Sequence, residues 1–296
     1  DYLIRGEFFS KGVENKVGIQ ANLKSKKTIK INGKLTNKRK DLIGKNNVVI
    51  LSPEDQVITK GGPKERRVFF DRLFSIISKD YLNTLQSFNR ALKQRNALLN
   101  SKNTLKEEYY IPWEEKLSNY AINLWELRKK CFYEYIKCLN SVINEYQKEM
   151  NLSLFYDEKF YSKKDYGNLL KKTRERDLLL GRTSKGPHRD NIFILWGKDN
   201  IRECGSQGEH KIALVLLKLA EINLIKSETG EHPIVLLDDV FAKLDLKRSK
   251  KLVSYLNSIK TNNKNPVQTI ITTTDIRDVR KSGLILETPG IKTHKL

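Results

Sequence analysis

The sequence has few of the features on which small secreted proteins and membrane proteins depend. It has three cysteines in 296 residues, an odd number with no C-x-x-C spacing. This excludes a disulfide framework and a four-cysteine zinc site, and it indicates a reducing compartment. The longest apolar run, residues 212–225, is broken by Lys218 and Glu221, so we expect no membrane-spanning segment. The opening residues lack the basic-then-apolar order of a signal peptide.

Acidic residues are fewer than basic residues in this sequence. Lys and Arg number 56 against 35 Asp and Glu, which gives a formal net charge of +21. The functional interpretation is a polyanionic partner, with nucleic acid first. The alternative is a lysine-rich proteome, because Lys, Asn and Ile are all abundant. Hydrophobic residues at 39% indicate a globular chain, long enough to bury its own core.

The first fifty residues have the pattern of a β-meander. Apolar residues alternate with polar ones over 17–23, as in a half-buried strand. A turn over 24–27 and a returning strand over 28–31 follow, and Asn32-Gly33 is a tight-turn signal. A further short apolar strand is predicted over 47–51.

The middle of the chain is predicted to be helical. Pro63 suits the first turn of a helix that carries an apolar stripe and a basic flank with Arg66 and Arg67. From 81 to 150, apolar residues recur at steps of three and four, with a break at 109–112. This seam predicts two helices packed as an antiparallel hairpin, either an arm that grips a partner or a helical subdomain with its own core.

The last third returns to alternating strands and helices. The pattern predicts a strand over 192–196, a turn over 197–200, a returning strand over 201–204, a buried helix over 211–226, and strands over 234–237, covered on both faces, and 267–273. The fold class is therefore α/β, interrupted by a helical insertion. The expected divisions are 1–78, 79–180 and 181–296, with the helical subdomain in the middle.

Two carboxylates follow the apolar run 234–237. A buried strand would deliver Asp238 to the carboxyl edge of a sheet, where ligands bind in open α/β folds. Such a carboxylate can hold Mg²⁺ together with phosphate oxygens. Asp239 is expected to face the other way along the strand and could take a proton from an attacking water. The alternative is a strand that ends in ordinary turn carboxylates.

A second candidate site is the start of the buried helix, Gly205-Ser206-Gln207-Gly208-Glu209. Ser206 and Glu209 have the spacing of a capping box. The same free N–H groups and helix dipole can bind a phosphate. The pair of motifs, this helix start and the carboxylates 238–239, is more specific than either alone.

These motifs belong to an ordered series. It comprises Ser52-Pro53-Glu54-Asp55, Gly61-Gly62-Pro63 with Arg66-Arg67 and Asp71, Gln94-Arg95-Asn96-Ala97-Leu98-Leu99, Gly186-Pro187-His188-Arg189-Asp190, Gly205 to Glu209, Leu236-Leu237-Asp238-Asp239, Leu244-Asp245 and Thr272-Thr273-Thr274-Asp275. With this series the chain resembles, over nearly its whole length, the RecF family of bacterial recombination mediators. These are ABC-class ATPases related to the heads of SMC-type chromosome maintenance proteins, so the resemblance implies an ABC-type ATPase head interrupted by a coiled-coil-like helical arm.

The resemblance implies a role for each matching position. It assigns Asp238 as the Walker B magnesium carboxylate, Asp239 as the catalytic base, Ser206, Gln207 and Gly208 as the signature that reaches the partner's γ-phosphate, Asp245 as the D-loop aspartate, and Thr274 and Asp275 as switch residues. Thr274 could instead be a structural strand residue. The segment 186–190 has no assigned role, and His188 could be a core histidine or a contact.

The sequence departs from the family at the phosphate loop. The pattern G-x-x-x-x-G-K-[ST] is absent, because Gly44-Lys45 is followed by Asn46 and Gly33-Lys34 by Leu35. We expect the sequence to start after the first strand, P-loop and following helix, and the missing initial Met agrees. Smaller departures are Glu209-His210-Lys211, where the family has Gln-Gln-Arg, and Ala242-Lys243, where it has Ser-Glu.

The resemblance also implies a function. ATP and Mg²⁺ would bring two heads together as a homodimer on duplex DNA and at single-strand/duplex junctions, with Arg66 and Arg67 as predicted DNA contacts. The partners implied are RecO, RecR and RecA, in recombinational repair, replication-gap processing and the SOS response, in the bacterial cytoplasm at the nucleoid and away from membranes. Two alternatives remain: a DNA-binding module without activity, and a metal-dependent phosphohydrolase using Asp238 and Asp239.

Overall fold

A computed structural model describes residues 2–10, 12–21, 28–36, 42–101, 106–147, 150–159, 161–259, 267–286, 288 and 290–294. The strands in these ranges are, in chain order, β1 Tyr2–Ser10, β2 Val13–Ala21, β3 Thr28–Ile31, β4 Lys34–Thr36, β5 Val48–Leu51, β6 Leu152–Tyr156, β7 Ile192–Trp196, β8 Asp199–Asn200, β9 Ile234–Asp238 and β10 Thr269–Thr272. The helices are α1 Val57–Lys60, α2 Pro63–Ile77, α3 Lys79–Leu99, α4 Ile111–Tyr146, α5 Lys163–Lys172, α6 Arg174–Leu180, α7 Ile201–Cys204, α8 Gln207–Thr229, α9 Leu246–Ser258 and α10 Ile276–Lys281.

The chain divides into two compact units. The first contains residues 1–53 and 222–296, and the second contains residues 54–221. The divisions expected at 78 and 180 do not coincide with these boundaries, and they stay a prediction. No helix in the described ranges combines the length and the apolarity that a membrane crossing needs.

The first unit contains the meander β1-β2-β3-β4. Asn32 and Gly33 connect β3 to β4 with φ angles of 49° and 79°, the left-handed pair that a tight hairpin turn requires. β1, which the sequence pattern did not reveal, pairs with β2 from Tyr2↔Ala21 to Ser10↔Val13. The turn predicted over 24–27, and Leu23 before it, lie outside the described residues.

The strand predicted over 47–51 exists but does not belong to the meander, which corrects the prediction for the first fifty residues. It is β5, and it pairs in parallel with β9 in a second sheet of order β10-β9-β5. Val235 and Leu237 of β9 are buried, at 1% and 2% exposure, whereas Ile234 and Leu236 on its other face are half-buried. The sequence predicts that both faces of β9 are buried. In the described residues, only the face that carries Val235 and Leu237 is fully buried.

The second unit is built around the predicted helical hairpin of α3 and α4. Arg95, near the end of α3, donates a hydrogen bond to Glu114 near the start of α4. Tyr81, at the start of α3, accepts a hydrogen bond from Arg128 further along α4. These pairs place the two helices antiparallel, as predicted. Phe70 of α2 packs edge-on against Phe132 and Tyr135 of α4, with ring centroids 5.2 and 5.1 Å apart.

The returning strand predicted over 201–204 is wrong. β7 is the central strand of an antiparallel sheet of order β6-β7-β8, and the strand that returns from it is β8, two residues long. Residues 201–204 form the helical turn α7. The Asn200 side chain accepts a hydrogen bond from the backbone N–H of Arg202, which caps this turn, and Ile201 is buried. α8 then begins at Gln207, and its apolar run is buried as predicted.

Candidate functional site

Asp238 lies at the carboxyl end of β9, where the sequence predicts it. β9 is the central strand of its sheet, and Asp238 is in register with Thr272 at the end of β10. The Thr272 hydroxyl donates a hydrogen bond of 2.5 Å to Asp238 Oδ1. The carboxylate is exposed and held at the sheet edge where open α/β folds bind ligands.

Asp239 does not continue the strand, so the alternation of a strand does not set the direction of its side chain. β9 ends at Asp238, and Asp239 adopts a left-handed conformation with φ 48°. Its backbone N–H donates to Thr272 O at 3.1 Å, and its Oδ1 accepts from the Thr274 hydroxyl at 3.4 Å. A left-handed non-glycine residue costs free energy, and such residues concentrate at functional sites.

Asp245 and Asp275 both begin helices. Asp245 accepts from the backbone N–H of Arg248 at the start of α9, and Asp275 accepts from that of Arg277 at the start of α10. The guanidinium and the backbone N–H of Arg277 hold the pKa of Asp275 below its ordinary value. Both carboxylates therefore have a structural role as caps, whatever their role toward a ligand.

Ser206 and Glu209 form the predicted capping box at the start of α8. Ser206 N–H donates to Glu209 Oε2 at 2.7 Å, and Glu209 N–H donates to Ser206 Oγ at 3.3 Å. Ser206 and Gln207 are exposed and Gly208 is half-buried. The amide oxygen of Gln207 accepts from Lys60 Nζ at 3.4 Å. The structural interpretation of this motif therefore holds, because Ser206 and Glu209 cap the start of α8.

The structure thus brings together Asp238, Asp239 and Thr274 in the first unit. Ser206, Gln207 and Gly208 lie in the second unit. Among the described residues there is no group of three or more His, Cys, Asp or Glu side chains that could hold a metal ion by themselves. A single exposed carboxylate such as Asp238 fits Mg²⁺, which prefers one or two carboxylates and takes its other ligands from phosphates and water.

The predicted DNA contact by Arg66 is wrong. Its side chain is 2% exposed, and its guanidinium donates to Ile192 O at 2.5 Å and to Gly61 O at 2.8 Å. Burial lowers its pKa from the ordinary value. Arg67 is half-buried, and it donates to Asp190 O at 2.6 Å. Both guanidiniums therefore hydrogen-bond backbone carbonyls of their own unit, and the DNA contact predicted for the half-buried Arg67 stays a prediction.

Sequence reasoning missed a buried ionic cluster around Arg128 of α4. Its guanidinium is 2.7 Å from Asp190 Oδ2 and 3.0 Å from Asp71 Oδ1. Asp190 also accepts from Tyr156 OH at 2.6 Å and from Trp125 Nε1 at 2.9 Å. The cluster thus contains Asp71 and Asp190, two residues of the motif series found in the sequence.

A second buried cluster surrounds Arg95 of α3. Arg95 is 2.7 Å from Asp177 and 3.1 Å from Glu114, and all three are buried. Its Nη1 also donates to Thr183 Oγ1 at 2.8 Å. The burial of Arg95 could have been predicted from its position. It lies four residues after the buried Ala91, on the apolar stripe of the same helix.

The two charges that interrupt the apolar run of α8 also face inward. Lys218 Nζ is 3.4 Å from Asp55 and 3.3 Å from Glu221, and it lies 5.3 Å from the centre of the Phe69 ring. Arg72 adds a 3.0 Å contact to Glu221. The run is therefore a core segment whose charges neutralise each other.

The structure places His188 inside the second unit. Its Nε2 is 3.0 Å from Thr183 O, its ring lies 5.8 Å from that of Phe88, and burial lowers its pKa to about 4. Gly186 has φ 135°, and a Cβ there would meet the Tyr166 hydroxyl at 2.4 Å. Because both residues serve packing, the core interpretation of His188 is the better one.

Known proteins resemble the chain in sequence. It is 35% identical over 274 residues to the DNA replication and repair protein RecF of Lachnoclostridium phytofermentans, covering 90% of the chain and 72% of that relative. It is 37% identical over 278 residues to RecF of Alkaliphilus oremlandii, with 89% and 73% covered. No protein-family model matches the sequence.

Solved structures resemble it as well. A structure of the recombination mediator protein RecF with ATP, from the RecFOR pathway, matches with a TM-score of 0.81 and 28% identity, covering 92% of the chain and 74% of that protein. A structure of RecF with ATPrS matches with a TM-score of 0.80 and the same identity, over 92% of the chain and 75% of that protein. The predicted fold class, an ABC-type ATPase head interrupted by a helical subdomain, is confirmed.

Proposed function

The chain belongs to the RecF family, and from this premise we propose that it is an ATP-switched DNA-binding protein of recombinational repair and replication-gap processing. The observation that carries the proposal is the arrangement of Asp238, Asp239 and Thr274 at one edge of a parallel sheet. Its relatives are named for DNA replication and repair, and two related structures contain ATP or an analogue.

In this proposal the two carboxylates have different tasks. Asp238, oriented by the Thr272 hydroxyl, would be the protein ligand of Mg²⁺. Bound Mg²⁺ would supply charge neutralisation on the phosphates. Asp239, turned aside by its left-handed backbone and bonded to Thr274, would orient the attacking water and accept its proton. Because general-base removal leaves binding intact, the two tasks can be separated by mutation.

The signature residues would act between subunits. Ser206, Gln207 and Gly208 stand at the exposed start of α8, where N–H groups and the helix dipole favour a phosphate. We propose that they close on the nucleotide of a second copy, with Asp245 at the same interface and Asp275 beside Thr274 as a switch residue. ATP binding would thus favour a homodimer, and hydrolysis would release it.

The phosphate-holding Lys and Ser/Thr of a P-loop are not among the 296 residues. The nucleotide experiments therefore use a chimera in which a segment that carries the pattern G-x-x-x-x-G-K-[ST] precedes residue 1. This protein is called the P-loop chimera.

The dimer would act on DNA. The net charge of +21 supports a phosphate-dominated contact to duplex DNA and to single-strand/duplex junctions. RecR, RecO and RecA are the proposed protein partners, with RecA loading at gaps as the outcome. A protein with these partners would work in the bacterial cytoplasm, at the nucleoid.

The first prediction concerns salt. Binding of the 296-residue chain to a duplex should weaken steeply as salt rises, because log K falls by about 0.9 per neutralised phosphate for each unit of log salt. Fluorescence anisotropy at four salt concentrations measures this slope. Two duplexes of unrelated sequence should bind equally. An affinity that does not change with salt concentration, or a strong preference for one DNA sequence, would contradict the proposal.

A further inference from the structure

The segment 163–189 of the second unit presents an excess of unneutralised positive charge. Its exposed acidic residues are Asp165 and Glu175 only. Its exposed basic residues are Lys163, Lys164, Lys171, Lys172, Arg176, Arg182, Lys185 and Arg189. None of these eight side chains forms an ion pair with any residue that the structure describes. We call this segment the α5–α6 surface.

The fold separates the charges of this segment by sign. Asp177 is fully buried, and its carboxylate is bound by Arg95 at 2.7 Å and by the Ser184 N–H at 2.9 Å. Arg174 turns inward as well, to Glu114 at 2.7 Å. Because Asp177 pairs with Arg95 in the core, its carboxylate does not neutralise the exposed cations of the α5–α6 surface.

The surface is fixed rather than loosely attached. Tyr166 and Leu170 of α5 are fully buried. After α6, the Thr183 N–H donates to Asn96 Oδ1 at 2.8 Å, and Gly181 O accepts from the Asn100 side chain. The eight cations are thus presented by an ordered frame, which reduces the entropy that binding must overcome.

Helix α6 also reverses the usual arrangement of an amphipathic helix. Its buried position is the charged Asp177, whereas Leu178, Leu179 and Leu180 are 43%, 90% and 45% exposed. These leucines stand between the exposed Arg176 and Arg182. An apolar patch inside a strongly basic surface marks a contact site, and the charge excess favours a polyanion over a protein partner.

We propose that the α5–α6 surface is the DNA-binding surface of the chain, with its cations on backbone phosphates and Leu179 on the exposed base face at a single-strand/duplex junction. DNA-binding proteins insert leucine against base steps in this way, and a junction offers an unstacked face without the cost of unstacking. This inference rests on the proposed function, because it assumes that the chain binds DNA.

The charge part is tested with two variants of equal charge. One replaces Lys171, Lys172, Arg176 and Arg182 with Gln, and the control replaces four exposed lysines elsewhere, Lys30, Lys34, Lys45 and Lys130. The surface variant should bind a blunt duplex at least tenfold more weakly than the control, with a salt slope lower by about 0.9 for each lost phosphate contact. Where thermal unfolding shows that the quadruple variant is not folded, Lys163→Gln with Lys164→Gln takes its place.

The apolar part is tested with Leu179→Ser, and Leu35→Ser is the control because Leu35 is another exposed leucine, at 59%. The probes are a covalently closed circular duplex, which has no terminal base pair, and a linear duplex with a single-stranded tail. Leu179→Ser should lose most of the preference for the tailed duplex and keep its affinity for the closed duplex, whereas Leu35→Ser should change neither.

The outcomes separate this inference from the proposed function. If the unmodified chain shows no salt-dependent DNA binding, the proposed function fails and the inference fails with it. If the chain binds DNA and the two charge variants weaken equally, the inference alone is overturned. If Leu179→Ser keeps the junction preference, Leu179 does not contact a base, and its patch belongs to a protein partner instead.

Discussion

Asp239→Asn in the P-loop chimera is expected to lower the rate of ATP hydrolysis about 10²- to 10⁴-fold, the usual effect of losing a general base. The fold at this position should persist. Asn tolerates the left-handed conformation that Asp239 adopts at φ 48°, and it can still accept the hydrogen bond from Thr274. ATP affinity should therefore stay within a factor of a few. Phosphate release and nucleotide titration measure the two quantities.

Asp238→Asn is the matched comparison. It makes the same chemical change one residue earlier, at the carboxylate bonded by Thr272. Because Asp238 is proposed as the Mg²⁺ ligand, this variant should weaken Mg²⁺-dependent ATP binding itself. If both variants lose binding equally, or if Asp239→Asn hydrolyses ATP at the normal rate, the division of tasks between the two carboxylates is wrong.

Arg128→Met is expected to destabilise the 296-residue chain by about 3–5 kcal/mol, because it leaves buried carboxylates without their counter-ion. Arg128 is about as buried as a core leucine and contacts Asp190 at 2.7 Å and Asp71 at 3.0 Å. Urea unfolding followed by circular dichroism measures the loss. Met fills much of the same volume, so the effect reports the charge more than a cavity.

Lys137→Met is its control on the same helix. Lys137 pairs with Glu134 at 3.1 Å, but both side chains are solvent-exposed. Exposed ion pairs contribute little to stability, so this variant should unfold like the unmodified chain. Equal midpoints for Arg128→Met and Lys137→Met would show that the Arg128 cluster is not the support that its contacts imply.

The elements predicted correctly are those specified by local pattern. The seam of α3 and α4 repeats every three and four residues, and Asn32-Gly33 directly encodes its turn. Asp238 was placed at a sheet edge because an apolar run ends there. Strand β5, which pairs with β9, lies far from β9 in the sequence. No local sequence pattern could therefore show that residues 48–51 do not belong to the meander.

The errors at Arg66 and at residues 201–204 have different causes. An arginine on the flank of an amphipathic helix is usually exposed, but here the carbonyl of Ile192, which is distant in the sequence, draws Arg66 inward. Ile201 fits a strand by composition, but the Asn200 cap turns the backbone into a helix. A tertiary partner therefore decided the position of Arg66, whereas a local cap decided the helical turn at 201–204. Asp239 adopts its left-handed backbone one residue after its strand ends.

Ser206, at the start of α8, is proposed to act on the nucleotide of a second copy. Light scattering of the P-loop chimera with and without ATP tests it, together with Ser206→Arg and with Ser206→Ala. Ser206→Ala removes the hydroxyl that caps α8 and is proposed to reach the nucleotide, and loss of the cap costs about 1 kcal/mol of stability. We expect ATP to double the mass of the unmodified chimera and of Asp239→Asn, and we expect Ser206→Ala to form fewer dimers at the same ATP concentration. Ser206→Arg should bind ATP and remain a monomer. A Ser206→Arg chimera that dimerises with ATP, beside an Asp239→Asn chimera that does not, would reduce the Ser206 motif to a helix cap.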